Sequence, residues 1–351
     1  MSKPTKFDPN GVGISNGNIF GFPVEEADAD IVIIPIPWDV TASYGKGTSR
    51  GAMQVLEAST QLDFYHPLCP DAHNIKVFMF PVSKEGLTLN DQFESQTKAY
   101  IELLEKGGDI KDYPQFQQLL DEVNKAQNSI RHQLKETART LIQSGKTPAV
   151  LGGEHSVPLG VIEAIDEQGQ SFGILQLDAH ADLRKAYEGF EQSHASIFYN
   201  VLNCNYMEKL VQVGIRDVAP AEVALIENSK GRIQTFFDWD IKAAKFLGNT
   251  WSQTVDDIIA ELPQKVYISF DIDVLSPSLC PNTGTPVPGG FKLEEIIFLL
   301  FELVKSGREI IGFDLCEVAN GEGDWDANVG ARALWGLTVA TEMSRRLNKI
   351  L

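Results

Sequence analysis

The sequence predicts an α/β fold in which one parallel sheet is covered by helices on both faces. Three observations carry this. Short apolar runs of strand length recur along the chain. Segments long enough for a helix separate them, which implies parallel pairing through crossovers. The runs are apolar at nearly every position, as strands buried on both faces are. No linker rich in Pro, Gly or Ser divides the 351 residues. A single domain over 1–351 is therefore expected, with 1–29 as an N-terminal extension and 83–112 as a surface insertion.

The elements follow in order. Ile31–Ile36 (IVIIPI) reads as a buried strand, followed by the Gly-rich turn Tyr44-Gly-Lys-Gly and a helix near Gly51–Gln61. Val77–Phe80 is a strand, and Tyr113–Ser144 has apolar residues at helical spacing. Strand Pro148–Leu151, a helix after Ser156, strand Phe172–Leu177 and a helix after His194 come next. Strand Lys209–Val213, a helix near Pro220–Asn228, strand Gln234–Phe236 and a further helix lead to strand Lys265–Phe270. A helix at Leu293–Lys305, strand Ile310–Phe313 and a helix near Asn328–Asn348 finish the chain.

Composition removes several classes of function. Lys and Arg total 30 against 48 Asp and Glu, a net charge of −18 that opposes a phosphate backbone or an anionic membrane as partner and suits a cationic ligand. The longest apolar runs, Ile31–Pro37 and Ile296–Leu303, are far shorter than the ~20 residues that span a bilayer. MSKPTKFDPN lacks the apolar stretch of a signal peptide. Cys69, Cys204, Cys280 and Cys316 form no CxxC pair and read as free thiols, so a cytoplasmic location is expected.

In α/β sheets ligands bind beyond the carboxyl ends of the strands. There the sequence places Gly152-Gly-Glu-His155-Ser, Asp178-Ala-His180-Ala-Asp182 and Asp271-Ile-Asp273. Alternation in extended chain turns Asp178, His180 and Asp182 to one side, and Asp271 and Asp273 likewise. A single Asp or His at a strand end is usually a cap or an ion-pair partner. Three such turns after three strands are hard to explain as caps, because clustered carboxylates repel unless cations neutralise them. Oxygen-rich ligation with two imidazoles fits Mn²⁺ or a similar divalent ion. Six ligands exceed what one open site takes, so two bridged ions, ~3.5–4 Å apart, are expected. His66, His73 and His132 fall outside this region and read as surface or core residues.

GGEHS at 152–156, DAHADLR at 178–184, SFDIDVLSPSLCPNTGTPVPGG at 269–290 and FDLCEVAN around Glu317 resemble, as an ordered set, the signatures of the ureohydrolase family. That family comprises arginases, agmatinases, related guanidino-compound hydrolases and formimidoylglutamases. The resemblance implies a three-layer αβα sandwich with a mainly parallel, eight-stranded sheet. It implies one Mn²⁺ on His155, Asp178, Asp182 and Asp271 and a second on Asp178, His180, Asp271 and Asp273, with Ni²⁺ as the other candidate metal. The ion pair would supply hydroxide to attack a guanidinium carbon, with Asp182 stabilising the tetrahedral intermediate, so that urea and an amine are released. His194, in Ser193-His-Ala-Ser, matches the family's proton-shuttling histidine; its bland alternative is a packed histidine at a helix start. Glu317 would pair with the guanidinium, and Asp314 would support the ligands from behind. Relatives form trimers or hexamers, so a homo-oligomer is expected.

Arginases hold the amino-acid head group with an Asn after the metal motif and a Ser-x-Asn before the histidine. This chain has Leu183-Arg184-Lys185 and Phe190-Glu-Gln-Ser193 there, which opposes arginine. Tyr187, Gly189 and Ser193–Ser196 resemble microbial agmatinases, so agmatine is the expected substrate, cleaved to putrescine and urea. Guanidinobutyrate, guanidinopropionate and free guanidine are the alternatives, followed by formimidoylglutamate, which His194 opposes. Val274 and Ser276 depart from the DGLDP segment and Asn320 from a Pro common in agmatinases. Trp38–Tyr44 and 83–112 are expected to line or lid the pocket. An inactive metal-binding regulatory homologue would have lost a ligand or His194, and neither is lost. A dinuclear phosphoesterase would need cationic or Gly-rich donors around the metals, and the turns offer carboxylates.

Overall fold

The computed structural model describes residues 7–349. Strand β1 (Ile31–Ile36) leads to helix α1 (Gly51–Ser59), strand β2 (Val77–Met79) and helices α2 (Lys84–Glu105) and α3 (Pro114–Gln143). Strand β3 (Thr147–Gly152), helix α4 (Leu159–Asp166), strand β4 (Phe172–Leu177) and the short helix α5 (Ile197–Val201) follow. Then come β5 (Met207–Ile215), α6 (Pro220–Asn228), β6 (Ile233–Phe237), α7 (Asp238–Phe246) and α8 (Trp251–Ala260). The chain closes with β7 (Lys265–Asp271), α9 (Leu293–Lys305), β8 (Glu309–Cys316) and α10 (Trp325–Asn348).

All eight strands pair parallel in the order β2-β1-β3-β8-β7-β4-β5-β6. Alternation sends successive side chains to opposite faces. Ile31 and Ile33 join a core with α1, α8, α9 and α10, while Val32 and Ile34 join a second core with α2, α3, α4 and α5. The expected α/β sandwich is therefore the observed one, and the sheet is parallel throughout.

Local chemistry sets several boundaries. Ser83 caps α2 by accepting the Gly86 N–H, Pro114 occupies the first turn of α3, and Thr250 with Gln253 forms a capping box on α8. Much of segment 83–112 is helix α2, whose inner side buries Asn90, Thr97, Tyr100 and Ile101. Among the described residues, no helix is long and apolar enough to cross a membrane.

Candidate active site

Strands β3, β8, β7 and β4 are neighbours in that order. Their register aligns Leu151, Leu315, Phe270 and Leu177 in one row. The polar residues that follow thus emerge together at the carboxyl edge of the sheet. The turn after β3 is tight: the Glu154 N–H donates to Trp38 O, and a Cβ on Gly153 would lie 2.0 Å from that same oxygen. Only glycine permits this approach.

Five of the six expected ligands surround two points. His155 Nδ1 lies 3.0 Å from Asp178 Oδ2 and 3.3 Å from Asp271 Oδ2. His180 Nδ1 lies 3.0 Å from Asp273 Oδ2 and 3.7 Å from Asp178 Oδ1. Ligand atoms of His155, Asp178 and Asp271 therefore form one group, and those of Asp178, His180 and Asp273 a second that shares Asp178. The sixth, Asp182, reaches the first group with Oδ2 3.2 Å from His155 Nδ1. Asp182 and Glu317 both adopt left-handed φ values, +53° and +64°, which cost a non-glycine residue strain and mark positions over-determined by their surroundings.

The donor set fits divalent cations. His155 Nδ1 and Asp273 Oδ2 are buried with no hydrogen-bond partner among the described residues, though carboxylate and imidazole atoms crowd around them. His155 is oriented from behind. Its Nε2 is 2.8 Å from Ser269 Oγ, and that hydroxyl donates to Asp314 Oδ2 at 2.8 Å. The serine proton is thus committed to Asp314, so the oxygen accepts from Nε2–H and leaves the Nδ1 lone pair facing the carboxylates. Asp178 receives the Gln176 amide at 2.9 Å and the His180 N–H at 2.6 Å.

Without a cation the cluster is electrostatically unbalanced. Burial and the neighbouring Asp273 and Asp178 push Asp271 well above the usual carboxylate range. Burial and Asp178 push Asp182 up to about 7. Burial opposes a charge on His155, but Asp178, Asp182 and Asp271 outweigh it and hold the imidazole well above its ordinary value. Excess proton binding of this kind marks a place where positive charge is wanted.

A cleft opens over the cluster. Glu317 points into it with Oε1 held by the His155 N–H at 2.9 Å and with Oε2 buried and unpaired among the described residues. Burial and then Glu154 raise its pKa well above normal. His194 lines the same cleft, its Nε2 3.2 Å from Ser43 Oγ and its ring stacked on Tyr187 at 6.1 Å. Burial, then the positive neighbours His180, Lys46 and His155, push its pKa down to about 3. At the mouth, Arg184 lies over the Tyr187 ring at 4.6 Å and Asp217 is exposed.

All eight expected site residues thus gather at one edge. Ser43, which lines the cleft, lies in the segment 38–44 offered by the sequence as pocket lining, whereas Gln176 and Ser269 were not singled out. Gln176 carries a signal, since it is the one amide in the apolar run FGILQL and alternation sets it on the side of Asp178. Within segment 38–44 nothing marks Ser43 itself, because the loop is irregular.

The model of the arginase family matches residues 29–340. An N(1)-aminopropylagmatine ureohydrolase of Thermus thermophilus is 30% identical over 301 residues, 86% of either chain. An agmatinase of Bacillus anthracis is 28% identical over 300 residues, 83% of this chain and 84% of its own. Among solved structures, the agmatine ureohydrolase of Thermoplasma volcanium superposes with a TM-score of 0.72 at 20% identity, covering 95% of this chain and 97% of its own. Motifs, fold and relatives agree along nearly the whole length: the chain belongs to the arginase family, as a ureohydrolase acting on guanidino C–N bonds.

Proposed function

We propose that the protein hydrolyses a small guanidino compound with a cationic tail, agmatine first, to urea and the corresponding amine. The observation that carries this reading is the convergence of two ligand groups, an unpaired buried carboxylate and a histidine on one cleft. The relatives named agmatinase and N(1)-aminopropylagmatine ureohydrolase support the tail chemistry. Ligands His155, Asp178, Asp182 and Asp271 would hold one Mn²⁺, and Asp178, His180, Asp271 and Asp273 the other. Such a pair lowers the pKa of coordinated water to near 7 and so supplies a nucleophile at neutral pH.

The remaining work falls to the protein. Glu317, fixed by the His155 N–H, offers its free Oε2 to the planar guanidinium and turns the central carbon toward the metal groups. Asp182, at the edge of the first group, accepts a hydrogen bond from the guanidino nitrogens as that carbon becomes tetrahedral. His194 carries the proton that the leaving amine needs. Its place supports that role: the ring lines the cleft with Nε2 3.2 Å from the Ser43 hydroxyl. The test is a urea-release screen over agmatine, N(1)-aminopropylagmatine, arginine, guanidinobutyrate, guanidinopropionate and guanidine, each with Mn²⁺ and with Ni²⁺. Agmatine or aminopropylagmatine should be hydrolysed fastest with Mn²⁺. Preference for a carboxylate-tailed compound would overturn the substrate class and leave the ureohydrolase chemistry standing.

A further inference from the structure

The loop 37–47 between β1 and α1 belongs to no helix or strand, yet it delivers Ser43 to the one hydrogen bond that the His194 ring makes among the described residues. Its shape comes from Asp39, which is fully buried. The Asp39 carboxylate accepts the N–H groups of Gly47 and Ser49 at 2.9 and 3.0 Å. Lys46 closes the loop from within, its ammonium donating to Asp39 O and Val40 O at 2.8 and 3.0 Å.

What holds Asp39 is helix α2. Asn90 is also fully buried, and both ends of its amide are spent on this one residue. Its Nδ2 donates to Asp39 Oδ1 at 3.0 Å, and its Oδ1 accepts the Asp39 N–H at 2.8 Å. Burying an amide is costly unless both ends are satisfied, so this clasp fixes loop and helix in one register. The opposite wall hangs from the same helix: the Tyr100 hydroxyl donates to Glu188 O at 2.7 Å, beside the Tyr187 ring that stacks on His194.

We propose that Ser43 is a positioning residue for His194, and that α2 sets Ser43 in place through Asn90 and Asp39. A hydroxyl suits the task because it can donate to Nε2 when the ring is neutral and accept from Nε2–H when the ring is charged. The contact therefore survives both halves of a proton transfer. This rests on the reading of His194 as the proton carrier.

The experiment compares Ser43→Ala, Ser43→Thr and Asn90→Leu in the Mn²⁺-loaded protein. Metal content, KM and kcat for urea release are measured with Mn²⁺, and the imidazole ¹⁵N shifts of labelled histidine, assigned with His194→Asn, are measured with diamagnetic Mg²⁺ in its place, because Mn²⁺ broadens nearby resonances beyond detection. Ser43→Ala is expected to lower kcat roughly ten- to a hundredfold, the usual effect of losing an orienting partner. KM should stay within about threefold, the pattern of an interaction outside ground-state binding. Metal content should not change, and the His194 resonances should move. Threonine should restore both kcat and shifts, and Asn90→Leu should reproduce the alanine result with Ser43 intact. Unchanged kcat and unchanged His194 shifts in Ser43→Ala would overturn the role of Ser43. Normal values in Asn90→Leu would overturn the role of the helix. Should Asn90→Leu fail to fold, Asn90→Ser takes its place, and normal kcat and His194 shifts in it would likewise overturn the role of the helix. If no guanidino compound is hydrolysed by the wild type, the functional reading fails, and the ring shifts still judge the Ser43 contact.

Discussion

Replacing Gln176 with Met should weaken metal binding without remaking the site. Gln176 is fully buried; its Nε2 donates to Asp178 Oδ2 at 2.9 Å and to His180 O at 3.0 Å. The amide cannot flip, because its Oε1 accepts Gln212 Nε2 at 2.7 Å, and Gln212 in turn accepts the Thr235 hydroxyl at 2.8 Å. This chain of polar groups crosses β4, β5 and β6 and ends on the carboxylate common to both ligand groups. Methionine keeps the length and removes the donor. A hydrogen bond to a charged group contributes about 1.5–3 kcal/mol. At about 1.4 kcal/mol per decade, that caps the loss of affinity at roughly a hundredfold, because the bond is also made without the ions. Loss of an outer partner of a metal ligand falls in the same range. The assay is a titration of ion-free protein with Mn²⁺ against a competing chelator, with thermal unfolding of both forms alongside. Affinity within about twofold of wild type would refute the argument, since loss of an outer partner typically costs ten- to hundredfold. Gln212→Met should act in the same direction and less strongly, because it only frees Gln176 to turn.

Asp271→Ala should abolish metal content and urea release together, measured by elemental analysis and a urea assay, since Asp271 stands in the first ligand group. His194→Asn should lower kcat by about 10²-fold or more while metal stoichiometry is unchanged, the effect of removing a proton-transfer group. Glu188, raised by burial and then by Glu105 from 4.5 to about 7, binds more protons folded than unfolded between those values. Its contribution is therefore full below pH 4.5 and lost as pH rises toward 7. Glu188→Gln should flatten that part of the curve of melting temperature against pH, and an unchanged slope would count against it.

The strands were legible because each is an apolar run bounded by polar residues, with only its ends misjudged, whereas helix α2 was read merely as a surface insertion and α7 and α8 as one helix. Strand β8 continues through Asp314 to Cys316, and β5 starts at Met207, because neighbouring strands extend the ladder past the apolar core of the run. Helix α10 starts at Trp325, three residues before the apolar pattern suggests. The metal-ligand residue types stood out since they follow strands at once in sequence. Asn90, Ser43 and Ser269 did not. Their meaning comes from contacts across 51, 151 and 114 positions of chain, and a serine or an asparagine by itself carries no periodicity.

The last strand of the sheet to be synthesised, β8, lies between β3 and β7. His155 leaves β3 on one side of it, and Asp178 and Asp271 leave β4 and β7 on the other. Until residues 309–316 fill the middle, His155 and the two carboxylates of its group, Asp178 and Asp271, have no shared frame. The second group, carried by the turns after the adjacent strands β7 and β4, lies wholly on one side of β8, so only the first group depends on that strand for its frame.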